Sequence, residues 1–335
     1  MRKVINILSI VTLLSAAVSC VKSDRIDDNS RSEIDMDPVM SVMSKAIVSG
    51  TGYPVDVPFG VFATYSSNPA GEWTSGSVQS YLENKKFIYK GDNKYGGEQP
   101  AYWPLSGSLV FAGYSPYYPD SGSVSATFDA ETKTLSISNF VSDGQTDLMY
   151  FLPTLSNSGN YVGTLDKSNS VSAQFLHALS LISFEIKADP LDDGRVTLKT
   201  VTLKKANTKG DFSATCVSSS SAGTLSWKNQ IKTSEYAVAS SSLPTVLSSS
   251  SALATQDLFV PGSNLTNSPV VEFKYEIAYN TVDGSGNVVN ATKEETTSFT
   301  IEDYTAEWEA GKKYVYAVTI GLNRIEFENL TAEWR

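Results

Sequence analysis

Residues 270–282, VVEFKYEIAYNTV, alternate in character without a break. Val271, Phe273, Tyr275, Ile277 and Tyr279 fall on one side, Glu272, Lys274 and Glu276 on the other. A period of two gathers apolar side chains on one face only when the backbone is extended, so this segment reads as a half-buried strand. DGSGN at 283–287 supplies a hairpin turn, and SFTIED begins further along the return. Runs of the same kind fill the first half of the chain: YPVDVPFGVFATY, KKFIYKG, GSLVFAGYSPYY, KTLSISNF and DLMYFLPTL. Each is rich in β-branched or aromatic residues and bounded by Gly, Pro, Asn, Asp or Ser. No segment holds a helical period. Strands without intervening helices argue for antiparallel β-sandwiches. A chain of 335 residues, 41% of them hydrophobic, is long enough for two successive cores.

The polar stretch SNSGNYVGTLDKSNS, Ser156 to Ser170, marks the expected boundary between them, giving an N-terminal domain over 46–165 and a C-terminal domain over 166–335. Just beyond it, VSAQFLHALSLISFEIKA is apolar on both faces, as expected for a central strand or a pair of strands packed on two sides. RVTLKTVTLKKA places Val196 and Leu198 in one phase and Val201 and Leu203 in the other, which predicts a bulge between them. The serine runs at 218–221 and 248–251 read as solvated loops.

The N-terminus has a different character. MRKVINILSIVTLLSAAVSC carries Arg2 and Lys3, an apolar run from Val4 to Leu14, then small residues ending at Cys20, the pattern of a secretory signal over residues 1–20. AVSC is similar to a bacterial lipobox, in which Cys20 becomes the lipidated first residue of the mature chain. One such residue implies a membrane anchor with the rest of the chain outside the bilayer. Loss of Arg2 and Lys3 moves the formal charge from 26 − 36 = −10 to 24 − 36 = −12. Such a surface repels phosphate backbones, which argues against nucleic-acid binding. A lipidated Cys20 leaves Cys216 alone, so no internal disulfide is expected. The polar stretch 21–33 reads as a tether.

Residues for chemistry are sparse. His177 is the sole histidine and lies in an apolar segment, and no C-x-x-C, H-E-x-x-H, G-x-S-x-G or P-loop pattern occurs. No catalytic site, metal or cofactor is expected, and His177 reads as structural. Paired acids such as Asp192–Asp193 and Glu294–Glu295 read as solvated. Trp73, Tyr102 and Trp103 could stack on sugars or belong to a core. N-x-T at Asn264, Asn290 and Asn329 reads as chance.

The ensemble YWP at 102–104, FAGYSPY at 111–117, DLMY at 147–150, FLHALSLISFEI at 175–186 and the ending WEAGKKYVYAVTIGLNRIEF through Trp334 resembles the fimbrillin-like proteins of Bacteroidetes. The resemblance implies two transthyretin-like β-sandwiches, made as a lipoprotein precursor and incorporated into a type V pilus. It further implies that a protease removes an N-terminal strand and that a strand from a neighbouring subunit fills the groove left behind, an addition of one strand to an open sheet edge. On that reading Ile34 and Met36, alternating in EIDM, belong to the removable part of 21–45. The cut falls between Lys45 and Ala46, with Arg31 as the alternative; an uncut tether is the plain reading. Ile325, Phe327, Leu330 and Trp334 are spaced as a donor strand or as a strand closing their own domain. Expected partners are related pilus subunits, the membrane through Cys20 before processing, and host or bacterial surface ligands. The expected location is the outer membrane and then the fimbria. A monomeric, glycan-binding surface lipoprotein is the alternative function.

Overall fold

The computed structural model describes residues 32–40 and 53–333, apart from 75, 77, 233, 239–241, 266–268, 304 and 323–324; for 264 and 330–333 it describes the backbone alone. Among the described residues there is no α-helix, only short 3₁₀ turns such as Pro190–Asp192 and Ile301–Asp303, and the chain is an all-β protein. The first run of strands is β1 (Asp35–Met40), β2 (Phe59–Ser66), β3 (Gly71–Trp73), β4 (Val78–Gly91), β5 (Lys94–Gly97), β6 (Ser108–Ser115), β7 (Ser125–Asp129), β8 (Thr134–Val141), β9 (Met149–Phe151), β10 (Tyr161–Gly163) and β11 (Val171–His177). There follow β12 (Leu179–Ala188), β13 (Val196–Lys204), β14 (Lys209–Val217), β15 (Ser220–Ile231), β16 (Tyr236–Ala237), β17 (Thr245–Val246), β18 (Leu253–Ala254), β19 (Leu258–Pro261), β20 (Ser263–Asn264), β21 (Val270–Val282), β22 (Val288–Thr300), β23 (Glu307–Trp308), β24 (Lys312–Ile320) and β25 (Ile325–Glu333).

Seven strands close a barrel in the order β1-β11-β9-β6-β2-β4-β5. The inward side chains of β2, Phe59, Val61 and Ala63, fill it together with Phe87, Phe111, Phe151 and Phe175. Phe62, on the opposite face of β2, packs with Tyr114, Leu135, Ile137, Phe140 and Phe212. A second sheet, β15-β14-β8-β7, therefore lies against the outside of the barrel. This two-sided burial is why FGVFATYS lacks an alternating pattern. Gly60 allows the close approach: a Cβ there would stand 2.4 Å from the Tyr114 ring.

The second core lies between the sheet containing β12, β24 and β25 and the sheet containing β13, β21 and β22. Phe184, Phe273 and Tyr316 meet there, and the Trp308 indole donates to the Tyr316 hydroxyl at 2.9 Å. The expected bulge in β13 falls between Leu198 and Thr200, and Val196, Leu198, Val201 and Leu203 are all buried.

The architecture differs from the sequence expectations in three respects and decides one alternative that they left open. Two pairings are parallel, β1 with β11 and β12 with β24, so the sheets are mixed; strands far apart in sequence escape the antiparallel geometry a tight hairpin imposes. The pairing does not divide between residues 165 and 166: β11 completes the barrel, and the β14–β15 hairpin returns to pair with β8. The segment read as one strand or two is two, β11 and β12, in different sheets. Finally, β21 keeps its buried face only as far as Ile277; Tyr279 is exposed, and the return strand starts at Val288, immediately after the turn.

Candidate functional site

The site is the slot that β1 occupies in the barrel. Ile34, Met36 and Pro38 turn inward and are buried, while Asp37 and Val39 face out. The alternation in EIDM thus marks a strand with one face in the core. Five residue pairs join β1 to β11 in parallel, Met36↔Val171 through Met40↔Phe175. On the other side only Asp35↔Gly96 and Met36↔Tyr95 join it to β5. Pro38, which cannot donate a backbone hydrogen bond, lies past the end of that short ladder. Ahead of β1, the Ile34 amide donates to the Ala101 carbonyl at 2.7 Å, and the Trp103 amide to the Ser32 carbonyl at 3.0 Å.

The floor of the slot is aromatic. Phe175 lies edge-on to Phe59 at 5.3 Å and to Phe151 at 5.2 Å, and Tyr95 lies 5.4 Å from Phe59. Tyr53, where the described chain resumes, stacks on Phe175 at 5.0 Å, and its hydroxyl is 2.5 Å from Ser115 Oγ. The Tyr95 hydroxyl donates to the Pro54 carbonyl at 3.0 Å. Burial pushes both phenols well above their ordinary range, so they remain protonated donors. The chain downstream of β1 is therefore fastened to the barrel by contacts of its own. Without β1, the barrel would become a sheet with two open edges, β11 and β5, over an apolar floor.

His177 lies on the inward face of β11, and its Nδ1 is 2.6 Å from Asp147 Oδ2. Met149 pairs with His177 on one side and with Ser115 on the other, so the His177–Asp147 pair and the Tyr53–Ser115 pair flank Met149 at one end of the barrel. Trp73 and Trp103 are buried, and Trp73 donates its indole N–H to Ser108 Oγ at 2.9 Å; neither can stack on a sugar. Asp192 accepts from the Leu322 amide at 2.8 Å and is structural rather than solvated. Cys216 is buried as a free thiol.

At the other end of the chain, β25 is an edge strand that among the described residues pairs with β24 alone, from Ile320↔Ile325 to Lys312↔Glu333. Phe327 is buried, stacked on Phe299 at 5.0 Å and Tyr316 at 5.2 Å, and Ile325 packs against the same core. The backbone of Leu330 pairs with Val315. Cys20, Arg31, Lys45, Ala46 and Trp334 lie outside the described residues. Lys45 and Ala46 fall in sequence between the end of β1 and Tyr53. Sequence reading picked out Ile34 and Met36 but missed the slot's other wall, Tyr53, Tyr95 and Phe175; its one trace is the alternation of Ala173, Phe175 and His177.

The fimbrillin-like family model matches residues 50–334. The chain belongs to the fimbrillin-like family. Among solved structures, a fimbrial protein from Bacteroides vulgatus aligns at 18% identity with a TM-score of 0.55, covering 91% of this chain and 100% of that one. A candidate cell adhesion protein from Bacteroides ovatus aligns at 12% identity and TM-score 0.54, covering 91% and 98%. Another from Bacteroides uniformis aligns at 17% identity and TM-score 0.50, covering 91% and 100%. No curated protein matches. In this fimbrillin-like chain the family match begins at residue 50, beyond β1 and the Lys45–Ala46 bond.

Proposed function

We propose that this chain is a structural, non-enzymatic subunit of a surface fimbria, exported as a lipoprotein through Cys20 and assembled by strand exchange at the β1 slot. The observation that carries the reading is that β1, a strand near the N-terminus, closes the barrel with its buried face on an aromatic floor while pairing with β5 through only two residues. Membership of the fimbrillin-like family supports the fimbrial part. Cutting after Lys45 separates β1 covalently from a domain that keeps its own anchor at Tyr53. A neighbouring subunit's strand then takes the slot, and each large apolar side chain it buries contributes about 1.5–3 kcal/mol. Open slots and donated strands on the same chain generate filaments rather than closed rings. Ile325–Trp334 is the candidate donor. To serve, it must leave β24 and give up the Phe327 stack, a cost the acceptor slot has to exceed.

The test is intact-mass analysis of surface material from the producing cell, with electrophoresis of unheated samples. A chain beginning at Ala46 in heat-sensitive, detergent-resistant ladders supports the reading, and Lys45→Ala should leave a lipidated monomer. Surface chains that all begin at lipidated Cys20 and run as monomers would refute it.

A further inference from the structure

Beyond Ala278, whose amide still donates to the Arg195 carbonyl at 2.8 Å, the β21–β22 hairpin leaves the body of the protein. The strand β13 stops pairing at Val196↔Ile277, yet β21 and β22 continue together from Ala278↔Thr292 to Val282↔Val288. Those five pairs form a two-stranded ribbon about 17 Å long, at 3.4 Å per residue. It leaves at the end of the second core farthest from the barrel. There β12 has run from Leu179, beside the first cores, out to Ala188.

The ribbon exposes apolar side chains and carries almost no charge. Tyr279, Val282, Val288 and Val289 are 37%, 63%, 70% and 38% exposed. Of the fifteen residues 278–292 only Asp283 is charged, whereas 19% of the chain is. Asp283 is itself committed to the turn, accepting from the Ser285 and Asn287 amides at 2.8 and 2.9 Å. Exposed strand edges are ordinarily guarded by lysine, proline or a bulge. This ribbon contains no lysine or proline, and its register is unbroken. Depletion of charge around aromatic and aliphatic side chains is the composition of an interface centre. A bare two-stranded ribbon is also at best marginally stable in water.

For a chain read as an assembling subunit the occupant is a second copy, and charge then selects the surface that receives it. At a net charge of −10, two copies repel within a Debye length of about 8–10 Å, so contact between them selects surfaces without charge on both sides. The barrel side has such a surface, a recess of about 380 Å³ with no charged residue among those lining it, including Leu109, Leu152, Val162, Gln174 and Leu176. It lies across β11 from the slot of β1. Among the described residues β9 pairs with this edge of β11 only at Leu176 and His177, and Val171–Phe175, paired with β1 on their other side, have no strand partner on this one.

We propose that the Ala278–Thr292 ribbon of one copy docks in this uncharged recess of a second copy, adding its open strand to β11 along Val171–Phe175. The contact rests on the reading of the chain as an assembling subunit and is separate from strand exchange, since it uses the opposite edge of β11. It joins the far end of one copy to the barrel of the next, a head-to-tail relation.

The test uses the full chain carrying Cys20→Ser, in which buried Cys216 is the remaining thiol. Copies with Val288→Cys are mixed with copies carrying Val162→Cys and treated with a short bis-maleimide; Val246→Cys, also exposed, serves as the control partner. The mixed 288–162 product is expected at about tenfold the yield of the 288–246 product, and it should fall about tenfold when Val282→Glu is added to the ribbon-bearing copy. Equal yields with both partners, or a Val288→Cys thiol fully open to monofunctional maleimide at every concentration, would overturn the proposal. Heat-sensitive ladders from trimmed chain are scored in parallel. Ladders without the 288–162 product overturn the ribbon contact and leave strand exchange standing. The product without ladders supports the ribbon contact and counts against strand exchange.

Discussion

Met36 is the side chain on which the β1 reading can be tested most directly. It is 0% exposed inside the barrel, and its strand neighbour Val39, facing outward, is 39% exposed. Met36→Ala removes a buried thioether and leaves a space over the aromatic floor, so it should cost about 2–5 kcal/mol. Val39→Ala, on the same strand and the same backbone ladder, should stay within about 0.5 kcal/mol. Against a total stability of about 5–15 kcal/mol, the first change is enough to loosen β1 while the second is not. The assay is urea unfolding together with hydrogen exchange at the Val171–Phe175 amides, the ladder that β1 shares with β11. In Met36→Ala, protection of these amides should fall by the same free energy, while β24 amides in the second core stay protected. A peptide of residues 32–40 added in trans should restore about 2.7 kcal/mol at a hundredfold excess over its dissociation constant. If Met36→Ala and Val39→Ala cost the same, or if Met36→Ala costs under about 1 kcal/mol with protection unchanged, β1 is not held by its inward face and the slot is not an acceptor.

Phe327→Ala should cost the second core about 3–5 kcal/mol, because the ring is 7% exposed between Phe299 and Tyr316; a negligible loss in thermal unfolding would mean β25 is not docked on its own domain. His177→Gln should lower stability by about 1–3 kcal/mol through loss of the bond to Asp147, with subunit assembly unaffected; assembly lost at unchanged stability would contradict a structural role. Asp211 accepts from the Asn139 amide and from the Asn229 side chain, and these bonds hold its carboxyl below the ordinary 3.8. Its folded-state pKa is depressed, so the stabilisation is present above the unfolded pKa and is lost as pH falls below 3.8 through the folded value. Asp211→Asn should therefore flatten the acid limb of the stability curve by lowering stability modestly at neutral pH while leaving it nearly unchanged at the acid end, as read by thermal unfolding across pH.

What the sequence determined by itself was local. The period of two in VVEFKYEI, the phase slip between Leu198 and Val201 and the alternation of Ile34 and Met36 each report one strand's own pleat, and each matches a buried face in the fold. The all-β class follows from the same signal, and family membership was legible in the order of its motifs. Only the tertiary structure decided which strand lies beside which. Backbone hydrogen bonding carries no residue code, so nothing in EIDM names Val171–Phe175 as its partner or makes the pairing parallel. The same limit hid the return of β14 and β15 to the first half and the burial of Trp73 and Trp103, since a pattern of apolar residues does not say what will cover them. Tyr279 is the sharpest case. It keeps the phase of Ile277, but the pairing with β13 ends two residues earlier, so the residue that continues the core's pattern stands in solvent on the ribbon.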